Sequence, residues 1–240
     1  MKQAKPILIM IPGLICDENL FVEQIDALGD ELDIKVVVHA RDVSLAELAG
    51  DILDMTDEPF YLFGLSMGGY IAFEVMRQAI KRGQQQRIKK LVLSSTSARL
   101  DPPDMKKRRI GFMELAKKGK FKGMSVPLMR TFIHPDKMAD KTVTGTIYDM
   151  AESTGPRGFI FQTNMILDRP DSREDLKKIS CPTLVMCGVD DERTPLYLSQ
   201  EMAQLIPNAE LVSFENCGHL PPLEVPEQVN KALMNFLLQS

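Results

Sequence analysis

Ser66 lies in the pattern G-x-S-x-G, which runs from Gly64 to Gly68. A serine hydroxyl becomes a nucleophile when a neighbouring base accepts its proton, and the base needs an acid to hold it in the right tautomer. Small residues two positions before and after the serine suit a sharp strand-to-helix turn that pushes the hydroxyl outward. The pentapeptide alone is a weak signal, so the rest of the chain must supply the base and the acid.

Candidates for the base and the acid lie late in the chain, each just after a predicted strand. His219 is the candidate base and Asp191 is the candidate acid. Asp190 competes with Asp191, because the two are adjacent and only the spacing to Pro195 favours Asp191. Cys217 lies two residues before the histidine, but the serine already supplies a nucleophile, so we interpret this cysteine as a packing residue.

Strands and helices alternate along most of the chain. Apolar runs predict strands at 7–11, 34–38, 60–65, 88–93, 183–187 and 211–214. Helical spacing and capping signals predict helices at 20–28, 44–55, 67–81, from about 195 onward and at 226–238. Strands separated by single helices must pair in parallel, which predicts a doubly wound α/β sheet with helices on both faces. Ligands of such sheets bind at the carboxyl ends of the strands, where Ser66 and both candidate partners fall.

The alternation stops after residue 95 and returns only at the strand that begins at residue 183. Residues 97–170 show helical patterns and no convincing buried strand, so we predict a helical cap there and an α/β core from 1–96 and 171–240. The cap holds 14 Lys and Arg against 8 Asp and Glu, whereas the remainder holds 15 against 25. Between Met105 and Lys122, the runs KKRR and KKGKFK concentrate this positive charge, which is typical of a solvated helix face.

The composition excludes several classes of protein. The chain has 240 residues, 44% hydrophobic and 26% charged, with a net charge of −4, as in an ordinary soluble globular protein. No apolar run approaches the roughly 20 residues that span a bilayer, and the short run near the N-terminus suits a first strand better than a signal peptide. Four cysteines without paired spacing predict free thiols in a reducing cytoplasm, and three distant histidines predict no metal site. An acidic chain without a recognisable binding module predicts no nucleic-acid partner.

The order serine, acid, histidine resembles that of the α/β-hydrolase superfamily. The resemblance covers nearly the whole chain: a first strand that ends in a glycine turn, the G-x-S-x-G pattern, a cap after the following strand, G-x-x-D-x-x-x-P from Gly188 to Pro195, and G-H at His219. Within the superfamily, the chain is most similar to the small esterases typified by the pimeloyl-[acyl-carrier protein] methyl ester esterase. The antiparallel hairpin usual at the N-terminus of the family has no counterpart before the first strand, so we expect about six parallel strands.

The resemblance implies a hydrolase of a carboxylic ester or thioester that needs no cofactor. It would act through an acyl-enzyme on Ser66, with His219 and Asp191 completing a catalytic triad. Carbon–carbon bond hydrolysis or perhydrolysis on the same triad is the main alternative. A non-catalytic ligand receptor is a further alternative, because one fold hosts many functions.

The resemblance also implies two backbone donors for the oxyanion of the reaction. Carried over by position, the N–H groups of Leu14 and Met67 would form the oxyanion hole. The family commonly has His-Gly after the first core strand, where this chain has Pro12-Gly13.

The cap would choose the substrate. Its apolar residues suggest an apolar acyl pocket lined by Phe112, Met113, Leu128, Met129, Phe132, Phe159 and Phe161. The basic segment suggests, as an alternative to a solvated face, a docking surface for an acyl carrier protein or an anionic acyl substrate. Charge reversal at Arg108 and Arg109 would test this docking hypothesis.

Overall fold

The computed structural model describes residues 4–39 and 41–239 and contains one central sheet. Its strands are β1 (Ile7–Ile11), β2 (Asp33–Val36), β3 (Phe60–Leu65), β4 (Ile88–Ser94), β5 (Thr183–Gly188) and β6 (Ala209–Phe214). The strand order is β2-β1-β3-β4-β5-β6, and every neighbouring pair is parallel. The predicted sheet of about six parallel strands is therefore confirmed. β3, which leads to Ser66, lies in the middle of this sheet.

Ten α-helices are present in the described ranges. They are α1 (Val22–Leu28), α2 (Leu45–Leu53), α3 (Met67–Lys81), α4 (Pro103–Lys117), α5 (Val126–Met129), α6 (Lys141–Asp168), α7 (Arg173–Leu176), α8 (Leu196–Leu205), α9 (Pro221–Glu224) and α10 (Pro226–Leu237). Short 3-10 turns add Glu18–Phe21, Gln85–Arg87 and Pro135–Ala139. Among these described helices, none is both long enough and apolar enough to cross a bilayer.

The first strand shows why helices cover both faces of the sheet. Successive residues of a strand point to opposite faces. Ile9 and Ile11 pack with α2 and α3, whereas Leu8 and Met10 pack with α1 and α10. All four side chains are fully buried. Burial of one such side chain stabilises a protein by about 1.5–3 kcal/mol, so this continuous apolar run is favourable only between two helical layers.

Most predicted elements are present, with small differences at their ends. β3 and α3 begin and end at the predicted residues. β2 ends two residues earlier than predicted, and β6 begins two residues earlier. The predicted cap of α2 is present: the Ser44 hydroxyl accepts the Glu47 N–H at 3.1 Å, and the Glu47 carboxylate accepts the Ser44 N–H at 2.8 Å. Local capping chemistry therefore fixes the start of α2.

The cap segment, residues 97–170, connects β4 to the last part of the chain. All of its residues are described, and they form α4, α5, one 3-10 turn and α6, without a strand. α6 is kinked at Gly155, whose φ of 61° is unfavourable for residues with a side chain. The long helix therefore changes direction at this residue.

A buried ion-pair cluster ties the two ends of the cap segment together. The Asp101 carboxylate, before α4, accepts hydrogen bonds from Arg109 at 2.6 Å and from Arg169, after α6, at 2.7 Å. The Arg169 guanidinium also lies 4.1 Å from the ring centroid of Tyr70 on α3. Burial favours a raised pKa for Asp101, but Arg169 and Arg109 together hold this pKa below its usual value. The entry and exit of the cap segment are thus fixed to each other and to α3.

Candidate active site

Ser66 occupies a strained turn between β3 and α3. Its φ of 54° and ψ of −112° lie in a region that residues with side chains rarely adopt, at a cost of about 1–3 kcal/mol. A Cβ added at Gly64 would lie 2.4 Å from the Gly68 carbonyl oxygen, and one added at Gly68 would lie 2.0 Å from that of Ile11. Both positions therefore require glycine, for the steric reason that the sequence pattern predicted. The turn is closed by the Thr96 hydroxyl, which donates to the Ser66 carbonyl at 2.7 Å.

The structure brings Ser66, His219 and Asp191 into one hydrogen-bonded chain. The distance from His219 Nε2 to Ser66 Oγ is 2.9 Å. His219 Nδ1 lies 2.8 Å from Asp191 Oδ2 and 3.0 Å from Oδ1. Asp190 points elsewhere: its carboxylate is 3.9 Å from His134 Nε2, and its side chain is 46% exposed. Of the two adjacent aspartates, only Asp191 is placed to orient the histidine.

The loop after β5 holds the Asp191 carboxylate in its ionised form. The carboxylate accepts hydrogen bonds from the N–H groups of Arg193 at 2.8 Å and Thr194 at 2.9 Å, and from the Thr194 hydroxyl at 2.7 Å. Burial acts to raise the pKa of Asp191, but the His219 ring and these donors outweigh it and lower this pKa below its usual value. An ionised carboxylate is an acceptor only, so His219 Nδ1 must carry the proton between them. His219 Nε2 is then free to accept from Ser66.

Glu224 on α9 holds the loop of His219, although it was not among the predicted site residues. Its buried carboxylate accepts the N–H groups on either side of the histidine, Gly218 and Leu220, both at 2.9 Å. It also accepts the N–H of His134 in the cap segment at 2.7 Å. Burial raises the pKa of Glu224, although these three donors oppose the shift. A lone glutamate within the apolar run LPPLEVP was the available sequence signal.

Phe132 makes a second link between the cap segment and the histidine loop. Its carbonyl accepts the His219 N–H at 2.6 Å, and its ring meets the imidazole edge-on with centroids 5.4 Å apart. A Cβ added at Gly218 would lie 2.7 Å from the same carbonyl oxygen. The glycine before the histidine is therefore needed for this close approach.

The two predicted oxyanion donors lie at adjoining turns. Leu14 lies in the turn after β1, and Met67 is the first residue of α3. Across residues 4–39 and 41–239, no acceptor is recorded for the Leu14 N–H, and the Met67 N–H has no preceding helical turn to bond to. The Leu14 side chain lines the cavity above the serine, whereas the Met67 side chain is buried in the core.

Gln162 on α6 fixes the turn that carries Leu14, and no sequence pattern indicated it. Its side-chain oxygen accepts the Ile15 N–H at 2.8 Å, and its nitrogen donates to the His39 carbonyl at 2.7 Å. The side chain is buried, so these bonds are shielded from water. The cap segment therefore helps to set the orientation of the backbone beside the serine.

Cys217 is not suited to act as the nucleophile. Its thiol is fully buried and faces the Gly218 carbonyl at 3.7 Å. Burial, followed by the negative charges of Glu224 and Asp191, raises the pKa of this thiol far above its usual value. The thiolate is the reactive form of cysteine, so a thiol kept neutral is a poor nucleophile.

A cavity of about 280 Å³ opens beside Ser66 and His219. The predicted lining residues are largely wrong, since Phe132 is the only one of the seven that lines this cavity, although other apolar residues do line it. Phe112 is instead 53% exposed on α4, and Phe159 stacks against Phe121 with ring centroids 5.1 Å apart. The wall is mixed: apolar residues such as Leu14, Leu100, Met105, Ile166 and Leu198 lie beside six charged residues, Arg99, Asp101, Arg109, Arg169, Glu192 and Arg193.

Comparisons with known proteins agree with this architecture. A sequence profile of the Alpha/beta hydrolase family matches residues 25–232. The fold is similar to that of a thermophilic esterase from Thermogutta terrifontis, solved with malate bound. The TM-score is 0.87 and the identity is 27%, with coverage of 98% of this chain and 90% of that chain.

Two proteins of similar sequence are named for different reactions. The 2-hydroxy-6-oxononadienedioate/2-hydroxy-6-oxononatrienedioate hydrolase of a Pseudomonas species is 24% identical over 235 residues, which is 92% of this chain and 78% of that protein. The pimeloyl-[acyl-carrier protein] methyl ester esterase of Nitrosomonas europaea is 43% identical over 63 residues, 26% of this chain and 25% of that protein. Because the family profile spans most of the sequence and the fold agrees, this chain belongs to the α/β-hydrolase family.

Proposed function

We propose that this protein hydrolyses a carboxylic ester or thioester through an acyl-enzyme on Ser66. The observation that carries the proposal is the unbroken hydrogen-bonded chain from Ser66 through His219 to Asp191, beside a cavity that Ser66 and His219 line. Similarity to an esterase over almost the whole fold supports ester hydrolysis over other reactions of the family.

In the proposed acylation step, His219 Nε2 takes the hydroxyl proton as Ser66 Oγ attacks the carbonyl carbon of the substrate. The carbonyl oxygen becomes an oxyanion, which accepts the N–H groups of Leu14 and Met67. Each such donor lowers the barrier by about 3 kcal/mol in comparable sites. The imidazolium then gives its proton to the leaving alkoxide or thiolate, and the carbonyl re-forms as an acyl ester of Ser66.

Deacylation reverses the roles with water as the nucleophile. His219 takes a proton from the water, which attacks the acyl carbon, and then returns the proton to Ser66 as the acid product leaves. The Asp191 carboxylate holds the ring in the productive tautomer and stabilises the imidazolium in both steps. Two residues that do not contact the substrate in this mechanism hold its parts in place. Glu224 bonds the loop of His219, and Gln162 bonds the turn of Leu14.

Hydrolysis of p-nitrophenyl esters of increasing acyl length tests the proposal. We expect turnover by the wild type, with a preference for short acyl chains because the cavity is small. The variant Ser66→Ala should lose at least about 10³-fold in kcat. Equal turnover by the wild type and Ser66→Ala on every ester would contradict the proposed role of the serine.

Carbon–carbon bond hydrolysis is the second candidate. The observation in its favour is similarity to the Pseudomonas hydrolase named above over 92% of the chain. Product analysis after incubation with a vinylogous 1,5-diketone distinguishes the two reactions. Cleavage of this ketone at a higher kcat/KM than any ester would favour the second candidate, whereas turnover of esters alone would exclude it.

A further inference from the structure

Four arginines line the cavity, and three of them already have carboxylate partners. Arg99 donates two hydrogen bonds to Glu201, at 2.8 and 2.7 Å. Arg109 and Arg169 share the Asp101 carboxylate at 2.6 and 2.7 Å. Each of these three guanidinium groups therefore already bonds a carboxylate, although Arg109 and Arg169 share a single negative charge.

Arg193 differs from the other three. In the described part of the chain, no carboxylate or carbonyl oxygen accepts a hydrogen bond from its guanidinium, and Glu192, the remaining acidic residue of the cavity wall, makes no ion pair with it. The guanidinium lies 4.9 Å from the ring centroid of Phe132, the same ring that packs against His219. An unneutralised cation therefore lies beside the proposed reaction centre.

The position of Arg193 is fixed although its charge is unpaired. Its backbone N–H donates to the Asp191 carboxylate at 2.8 Å, which anchors the residue to the acid of the site. Burial, and then the neighbouring Arg109 and Arg108, lower the pKa of Arg193, which shows how poorly this charge is compensated. A guanidinium nevertheless stays protonated at neutral pH. A half-buried cation without a partner is costly, and an incoming anion offsets that cost.

We infer that the cavity selects esters that carry an anionic group, such as a carboxylate, which pairs with the Arg193 guanidinium. This inference rests on the proposed ester hydrolysis and narrows its substrate class. The cavity of about 280 Å³ suits a small substrate of this kind, such as a half-ester of a short dicarboxylic acid. The anion is on the acyl or the alcohol side of the ester, and matched substrates separate these two cases.

The test measures kcat/KM for matched pairs of charged and neutral esters. Monomethyl glutarate against methyl valerate places the charge on the acyl side, and acetoxyacetate against propyl acetate places it on the alcohol side. In Arg193→Gln, the backbone bond to Asp191 is kept, and we expect the charged-to-neutral ratio to fall by about ten- to hundredfold for one pair. The double variant Arg99→Gln, Glu201→Gln removes a neutral ion pair from the same wall and should keep the ratio within about threefold.

An unchanged ratio for both pairs in Arg193→Gln, with turnover that still depends on Ser66, would overturn the inference and leave the proposed function intact. Absence of serine-dependent turnover on every ester would instead contradict the proposed function. In that case, calorimetric binding of monomethyl glutarate and of acetoxyacetate to Ser66→Ala still tests the inference. We expect affinity for at least one of them to fall about tenfold or more when Arg193→Gln is added, and equal affinity for both would overturn the inference.

Discussion

Two helices of equal length flank the cavity, and they are held in opposite ways. α3 follows Ser66, and ten of its fifteen residues are buried. α4 carries Arg109, and only two of its fifteen residues are buried. Three large apolar side chains of α4, Ile110, Phe112 and Leu115, are between 41% and 53% exposed.

The two helices differ in the interactions that fix their positions. α3 is fixed by apolar packing on the sheet and by backbone contacts too close for any side chain, so the serine at its start has one position. α4 is fixed largely by the Arg109 to Asp101 ion pair and by packing on α6. We infer that the position of Ser66 is set by the core, whereas α4 shapes the wall of the cavity. Variants that disturb only one of these two regions should separate their roles.

Two buried aspartates with lowered pKa values provide the first contrast. Asp191→Asn should lower kcat on the order of 10⁴-fold, because an amide favours the wrong tautomer of His219. Asp101→Asn should lower kcat by less than about tenfold, because Asp101 holds the cap segment rather than the base. Steady-state kinetics with one p-nitrophenyl ester measures both, and similar losses in the two variants would contradict the contrast.

The same aspartates predict how stability depends on pH. The pKa of each is lower in the folded protein than the ordinary value of 3.8, so each ionised carboxylate stabilises the fold above that value. The stabilisation is lost as pH falls below about 3.8 towards the lowered value. As the pH falls from 7 to 3, the free energies of unfolding of the wild type and each Asn variant should therefore become more similar. Urea unfolding at each pH measures this difference. A constant difference would exclude this linkage.

Two glycines test how tightly each helix is held. Gly68→Ala places a methyl 2.0 Å from the Ile11 carbonyl oxygen and should destabilise the fold by about 4 kcal/mol, with loss of activity. Gly111→Ala, in the middle of α4, meets no atom within 4 Å and should stabilise the fold by about 0.5–1 kcal/mol. Urea unfolding measures both. A comparable loss at the two positions would show that α4 is as constrained as α3.

Glu224 joins the cap segment to the core, because its carboxylate bonds backbone N–H groups of both. Glu224→Gln leaves at least one of three backbone N–H donors without an acceptor, so His219 should shift and kcat should fall by about ten- to hundredfold with KM little changed. Glu227→Gln, exposed on the next helix, is the matched control and should be neutral. A rise in KM alone in Glu224→Gln would indicate a role in the cavity wall instead of in positioning the base.

The outer face of α4 gives the smallest expected effect. Lys107 and Arg108 are exposed, whereas Arg109 is bonded to Asp101, so a test of carrier-protein docking must use the first two. Reversal of both charges to Glu should lower kcat/KM on an acyl-carrier-bound ester by about fivefold or more, and on a free ester by less than twofold. Reversal of Lys81 and Lys89, at the opposite edge of the sheet, is the control. Equal losses on both substrates would exclude docking at this face.

The core and the catalytic candidates could be predicted from the sequence because their signals are local. The apolar run and the glycines around Ser66 fix β3, the turn and α3 within 22 consecutive residues. Asp191 and His219 follow the ends of strands, and parallel strands bring their carboxyl ends to one edge. The spacing to Pro195 alone favoured Asp191 over Asp190, and in the structure only Asp191 lies beside His219.

The residues that hold the catalytic loops and those of the cavity wall could not be predicted, because their contacts join positions that are distant in the sequence. Gln162 meets Ile15 across 147 positions, and no spacing rule connects a single amide on a helix with a distant turn. The residues expected to line an apolar pocket were largely wrong, because most of them pack within the cap segment or face solvent, and other apolar residues line the cavity. Arg193 lies in a loop between the acid and a proline, as many surface arginines do. Only the structure shows that, among the described residues, its guanidinium has no carboxylate partner.

The acyl-enzyme itself is the most direct test of the central claim. The wild type is mixed with p-nitrophenyl butyrate, quenched in acid within milliseconds to seconds, digested and analysed by mass spectrometry. We expect a butyryl group on the peptide that contains Ser66, formed before steady state, lost at the rate of turnover and absent from Ser66→Ala. Turnover without this adduct, or with the adduct on Cys217, would contradict serine catalysis by the chain of Ser66, His219 and Asp191.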